Sequence, residues 1–296
     1  TMKVDERKIS APNVGAPRMI TPGSFMVAAF DMKGKKKWEQ NVGEFISAHG
    51  FNACPILYRN LVIINGDHDG DSYLAALNKQ TGQLQWKVPR ENKTRSYATP
   101  IIRTIGKREQ MILCGDKSVA SYDPTNGKRH WIIDGPTEQF VASMVYNGKY
   151  AFVTGGYPER HILAIRPEGS GNITETHIAW RVKKGASYVP SPVVVGPYFV
   201  IAADNGIASC FKAEDGTRLW MERLGGGHSA SAITAGGLAY FVSDRGITSI
   251  IKPGPNFEVV AKNDLKELVS SSPAVSQGQL FIRGHKHLYS IGKGTN

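Results

Sequence analysis

Cysteine is nearly absent. Three residues, Cys54, Cys114 and Cys210, serve a chain of 296. They are an odd number, widely separated and each set in an apolar stretch, so they read as small buried hydrophobes. A disulfide framework and a thiolate metal cluster are both excluded by that placement. Long hydrophobic runs are missing too: none approaches the ~18–20 residues a membrane span needs. No Gly/Ser or Pro-rich linker interrupts the chain, so a single domain over residues 1–296 is expected. No secretory signal stands at Thr1, as expected of a processed or truncated form. Acidic side chains are the minority, 25 against 36 Lys and Arg, which leaves a net charge of +11. That balance favours acidic partners. Part of the excess is local, at Lys33, Lys35, Lys36 and Lys37 and at Arg181, Lys183 and Lys184, which fits a solvated basic surface equally well. No basic helix, zinc signature or aromatic RNA-binding motif accompanies the charge, so no nucleic acid is expected. Nucleophile-elbow, Walker and dinucleotide-loop motifs are also missing.

What the chain does have is one phrase repeated. Its clearest copy places Ala76, Asn78, Thr81, Gly82 and Trp86 in a single run. Other copies close on Trp38, Trp131 and Trp220, and a degenerate one on Trp180 after Ala164 and Gly169. The tryptophans are 48, 45, 49 and 40 residues apart. A period of about 40–50 built from short strands marks a β-propeller blade.

One unit, residues 189–223, reads as four strands. Residues 190–195 form strand A, 198–203 strand B, 207–211 strand C and 217–221 strand D, with Asp204-Asn205-Gly206 and Glu214-Asp215-Gly216 as turns. Gly and Asn at the turns accept the positive φ that a tight hairpin demands. Strand A recurs at 53–57, 98–102, 142–145, 230–233 and 272–275, with small residues suited to an innermost strand. The unit at 228–263 lacks its tryptophan, and residues 257–260 stand where it is expected. The last unit supplies only A, B and C. Residues 1–4 read as an orphan strand D, followed by a compressed A–B–C at 11–31. Pairing the N-terminal strand with the last three would close a ring of seven blades and remove an exposed edge. The alternative is part of an eight-bladed ring.

The phrase at 76–86 resembles the repeat of pyrroloquinoline-quinone (PQQ)-type propellers, and the resemblance runs from about residue 11 to residue 293. That family includes quinoprotein dehydrogenases, the assembly lipoprotein of the outer-membrane β-barrel machinery and many uncharacterised bacterial extracytoplasmic propellers, which this chain resembles most. The resemblance implies an all-β propeller in the periplasm or elsewhere outside the cytoplasm, with each tryptophan docked between blades. The dehydrogenases' adjacent-cysteine disulfide and haem motif have no counterpart here, so PQQ is not expected as a cofactor and quinone-dependent oxidation is the least favoured reading.

In a propeller the D–A and B–C connections share one face, and binding surfaces form on such loops. They carry the candidate ligand residues His49, Arg90, Tyr97, Arg223, His228 and Arg283. Arginine forks suit carboxylate, sulfate or phosphate, and Tyr or His faces suit sugar rings. Asp67, Asp69 and Asp71 alternate in one B–C loop and form a weak candidate for Ca²⁺, without the twelve-residue loop or its distal glutamate. The leading expectation is a non-enzymatic scaffold that recognises a protein partner or acidic polysaccharide through its basic face. The alternative is a lyase or hydrolase acting on an acidic saccharide, with His49, Tyr188 and His228 as acid/base groups.

Overall fold

The computed structural model describes residues 7–12 and 16–292. It is all-β. One four-residue helix, Thr174–His177, is the helical segment among the described residues, and no helix there is long and apolar enough to cross a membrane. The residues group into two compact units, 1–140 with 168–174, and 141–167 with 175–296.

In the first unit, Gly23–Phe30 and Lys36–Phe45 form a two-stranded sheet. The compressed A–B–C expected over 11–31 is therefore corrected. Residues 23–30 are one long strand, and Ile9–Ser10 pairs separately with Met19–Ile20. A four-stranded meander follows: Ile56–Tyr58, Leu61–Gly66, Tyr73–Asn78 and Leu84–Pro89. The next meander, Ile101–Ile105, Arg108–Gly115, Ser118–Tyr122 and Arg129–Asp134, gains Gly171–Asn172 as a parallel fifth strand. That excursion explains why the repeat between Ala164 and Trp180 is degenerate.

The second unit holds three four-stranded meanders whose outer strands D are Ile178–Val182, Arg218–Arg223 and Val259–Asp264. A three-stranded sheet, Ala274–Ser276, Gln279–Arg283 and Leu288–Ile291, completes it. The closing strand expected from residues 1–4 lies outside the described residues.

Strands A begin later than expected, at Val193, Ile233 and Ala274, for example. The reason is chemical. Thr99, Ser191, Ser231 and Ser272, each two residues before its strand, use the hydroxyl as acceptor for a backbone N–H one repeat away. In the first unit Cys54 N–H donates to Thr99 Oγ1 at 3.0 Å. In the second, Ser143 donates to Ser191 at 2.9 Å, and Ser191 to Ser231 and Ser231 to Ser272 at 3.0 Å each. These residues are engaged sideways and so leave the strand ladder.

Tryptophans cover the turns of the following sheet. Trp38 donates its indole N–H to Lys79 O, and Trp180 to Ala213 O, both at 3.0 Å. Trp220 donates to Gly254 O at 3.1 Å. Gly216, at φ +74°, lies under Trp180, where an added Cβ would stand 2.7 Å from the ring. Trp131, fully buried, turns instead to Gln110 Oε1 of its own sheet at 2.8 Å. Residues 257–260 do not replace the missing tryptophan. Phe257 packs on Trp220 with ring centroids 5.1 Å apart, and the register position belongs to Ala261.

Candidate functional site

Within each unit the turn after strand B meets the loop before strand A, and a carboxylate at the turn fastens them. Asp116 accepts backbone N–H groups from Glu91 and Asn92 at 2.8 Å and from Thr94 at 3.2 Å. Asp204 accepts from Tyr188 at 2.9 Å and Val189 at 3.0 Å, and Asp244 from Ser229 at 2.8 Å. Carboxylates that accept several backbone donors fix a loop that has no ladder of its own. Gly206, at φ +77°, lets the approach happen, since a Cβ there would stand 2.1 Å from Gly226 O. Sequence reasoning took Asp204 as a plain turn residue and did not single out Asp116 or Asp244. Their recurrence one or two residues after strand B was the signal it missed.

In the first unit the loop residues form a buried network. Arg90 Nε donates to Asp67 Oδ1 at 2.8 Å, its Nη1 to the Tyr122 hydroxyl at 2.6 Å and its Nη2 to Gly115 O at 2.9 Å. Ser96 Oγ adds a 2.6 Å bond to Asp67. Burial alone would lower the guanidinium's pKa, but Asp67, Tyr122 and Asp116 outweigh it, so Arg90 stays charged. The expectation that Arg90 faces a ligand does not match this geometry, because its side chain is 1% exposed and held by the protein itself. The three aspartates likewise do not converge on a cation. Asp67 pairs with Arg90, Asp69 with Arg95 at 2.7 Å, and Asp71 points outward to Lys93 at 2.7 Å. Alternation along the loop sends Asp71 to solvent, and among the described residues no group of three His, Cys, Asp or Glu is set to hold a metal.

His49 and Tyr97 do come together, around the Arg95–Asp69 pair. His49 is exposed, and its Nδ1 lies 3.5 Å from Arg18 Nη2. Partial burial, then Arg95 and Arg18, hold its pKa below the ordinary value. Burial raises that of Tyr97, whose hydroxyl lies beside Arg95 and Ser47. His68, which sequence reasoning did not single out, accepts two backbone N–H groups on Nδ1, from Ile46 at 3.1 Å and Gly70 at 2.9 Å. Its neutral form therefore carries the proton on Nε2.

In the second unit one turn, Asp204-Asn205-Gly206, gathers three of the predicted residues. Tyr188 is tied to the Asp204 carboxylate, His228 N–H donates to Asp204 O at 3.0 Å, and Arg223 Nη1 donates to Asn205 O at 3.2 Å. His228 is buried, its Nδ1 has no hydrogen-bond partner, and burial lowers its pKa. It lines a pocket of about 180 Å³ with Ser243 and Arg245. Arg223, Arg245 and Arg283 are exposed and have no carboxylate partner among the described residues. Arg283 ends the next strand B, where its carbonyl accepts from Ser271 Oγ at 2.7 Å.

Known proteins place this arrangement. Residues 19–155 match the family model described as outer membrane protein assembly factor BamB. The crystal structure of BamB from Moraxella catarrhalis is similar in fold, with a TM-score of 0.51 and 12% identity over 98% of this chain and 99% of that one. No curated protein matches the chain in sequence. Together with the docked tryptophans and the meander sheets, these likenesses show a β-propeller-type fold, with the PQQ-type repeat of the family model matched over residues 19–155.

Proposed function

We propose that this chain is a non-enzymatic binding scaffold that works outside the bacterial cytoplasm, at the outer membrane, and recognises an acidic face of a protein partner. The observation that carries the reading is the set of arginines on the loops of the second unit. Arg223, Arg245 and Arg283 are exposed without carboxylate partners; Asp204 and Asp244 hold the connections around the first two, and Glu267 accepts from His287 N–H in the turn after Arg283. A rigid scaffold presenting fixed guanidinium groups suits recognition of carboxylates. The family match to an outer-membrane assembly factor supports the cellular setting and a protein as the partner. The neighbouring pocket, about 180 Å³, is smaller than the ~300–1,000 Å³ of small-molecule sites, which favours surface recognition over catalysis.

A photo-crosslinking residue at Asn205 tests this. It should capture a distinct envelope protein in cells, and Arg223→Ala together with Arg245→Ala should weaken that capture. The same probe at Asp215, on a C–D turn, should capture little. Equal capture from both turns would refute the reading.

A further inference from the structure

Five strands D place a tryptophan at one register position. Trp38 lies opposite Ala29, Trp86 opposite Ala76, Trp131 opposite Ser121, Trp180 opposite Ala164 and Trp220 opposite Cys210, each just before a bulge in the pairing. In the sheet that ends with Val259–Asp264, the residue opposite Ile250 and just before the bulge is Ala261. An alanine thus stands where the fold elsewhere sets an indole.

Space remains there. A pocket of about 490 Å³ is walled by Tyr240, Ile250, Asn263 and Leu265 from this sheet and by Leu280 and Ile291 from the next. Asn263 follows Ala261 by two residues, so the two share one face of the strand, and Leu265 follows just past the strand's end. At the preceding junction Trp220 packs with Ala239 and Ile251 of the following sheet. Leu280 and Ile291 are the counterparts of that pair, since Ala239 pairs with Ile251 as Leu280 pairs with Ile291. The pocket therefore occupies the layer that Trp220 fills one repeat earlier.

We propose that this pocket receives a tryptophan side chain from a partner polypeptide. Its size exceeds the ~150 Å³ of an engineered apolar cavity that takes up benzene and falls among ordinary ligand sites of ~300–1,000 Å³. Trp180 and Trp220 donate their indole N–H to a backbone carbonyl, and here the polar residues Asn263 and Gln279 stand in the wall. The rim argues for a polypeptide rather than a free ring. Val275 and Ile291 line the pocket yet remain 48% and 45% exposed. A segment flanking the inserted side chain would cover this apolar margin, which a small molecule would leave wet. The site is separate from the arginine-bearing loops and does not depend on their role.

N-acetyl-tryptophanamide, titrated into the isotopically labelled full chain by NMR, tests the proposal. Saturable binding is expected, with the largest shifts at Ile250, Leu280 and Ile291. Ala261→Trp supplies the ring from within and should weaken binding at least tenfold while the protein melts at the same temperature or higher. Ile291→Glu, at the exposed rim, should weaken it to a similar extent and decides the matter if Ala261→Trp fails to fold. Absence of binding, or binding unchanged in the folded variants, would overturn the proposal. Free indole binding without N-acetyl-tryptophanamide binding would overturn the polypeptide source.

Discussion

Arg90 shows how a residue chosen from sequence as a ligand contact becomes part of the interior. Its position four residues after Trp86 was legible. That Asp67, twenty-three residues earlier, would fold back beneath it was not, because the pairing depends on two loops meeting in space. Removing one partner of a buried ion pair costs about 3–5 kcal/mol, since it strands the other charge. Arg90→Ala should therefore show a loss of that size in chemical denaturation, whereas Arg223→Ala, at the surface, should stay within ~0.5 kcal/mol. Histidines add a pH dependence. Burial holds His68 and His228 below the ordinary 6.5, although Asp67, Asp69 and Glu44 around His68 and Asp244 near His228 pull the other way. The unfolded chain takes up protons near pH 6.5 that these buried rings refuse, so more protons bind to the unfolded state and stability falls as pH drops. For His68 the refusal has a second cause: a proton on Nδ1 would face the two N–H groups it now accepts. The melting temperature should decline from about pH 7 to pH 5, and His68→Gln and His228→Gln should each flatten that slope. A slope unchanged in both variants would place the titration elsewhere.

At the level of elements, the hairpins and strands B, C and D follow the sequence closely, because period-two patterning and Gly-bearing turns act locally. Strand B at Tyr198–Ala202 and strand C at Ile207–Lys212 lie within one residue of the expected bounds. Strands A do not. The Ser and Thr residues that shift them bond to a different repeat, which local patterning cannot reveal. Trp180 tests the docking. It is buried, packs on Phe152 and Phe199 at centroid distances of 5.8 and 6.3 Å, and donates to Ala213 O. Trp180→Ala should cost about 3–5 kcal/mol, the range for a large core aromatic. Gly216→Ala meets the same junction from the other side and should also destabilise, because φ +74° strains an L-residue and the new methyl meets the ring. Both losses are read from urea midpoints, and a neutral Gly216→Ala would show that the ring yields easily.

For the whole molecule the dominant quantity is charge. An excess of +11 gives a broad field that attracts acidic partners from any direction and raises encounter rates without choosing a geometry. Specific contacts must add the choice, and in the proposed function the exposed Arg223, Arg245 and Arg283 supply them. The two contributions separate with salt. Exposed charges more than ~8 Å apart are largely screened at physiological ionic strength, and ~3 Å suffices at 1 M. The broad field should therefore fade first, and short hydrogen-bonded contacts to guanidinium forks should fade last. Partner association measured by surface plasmon resonance between about 0.05 and 0.5 M NaCl should slow steeply in its on-rate while the off-rate changes less. Arg223→Ala should show the complementary pattern, with faster dissociation at every salt concentration and a similar salt slope for association. If Arg223→Ala instead only shifted the on-rate, in proportion to the single charge removed, Arg223 would belong to the field and not to the contact.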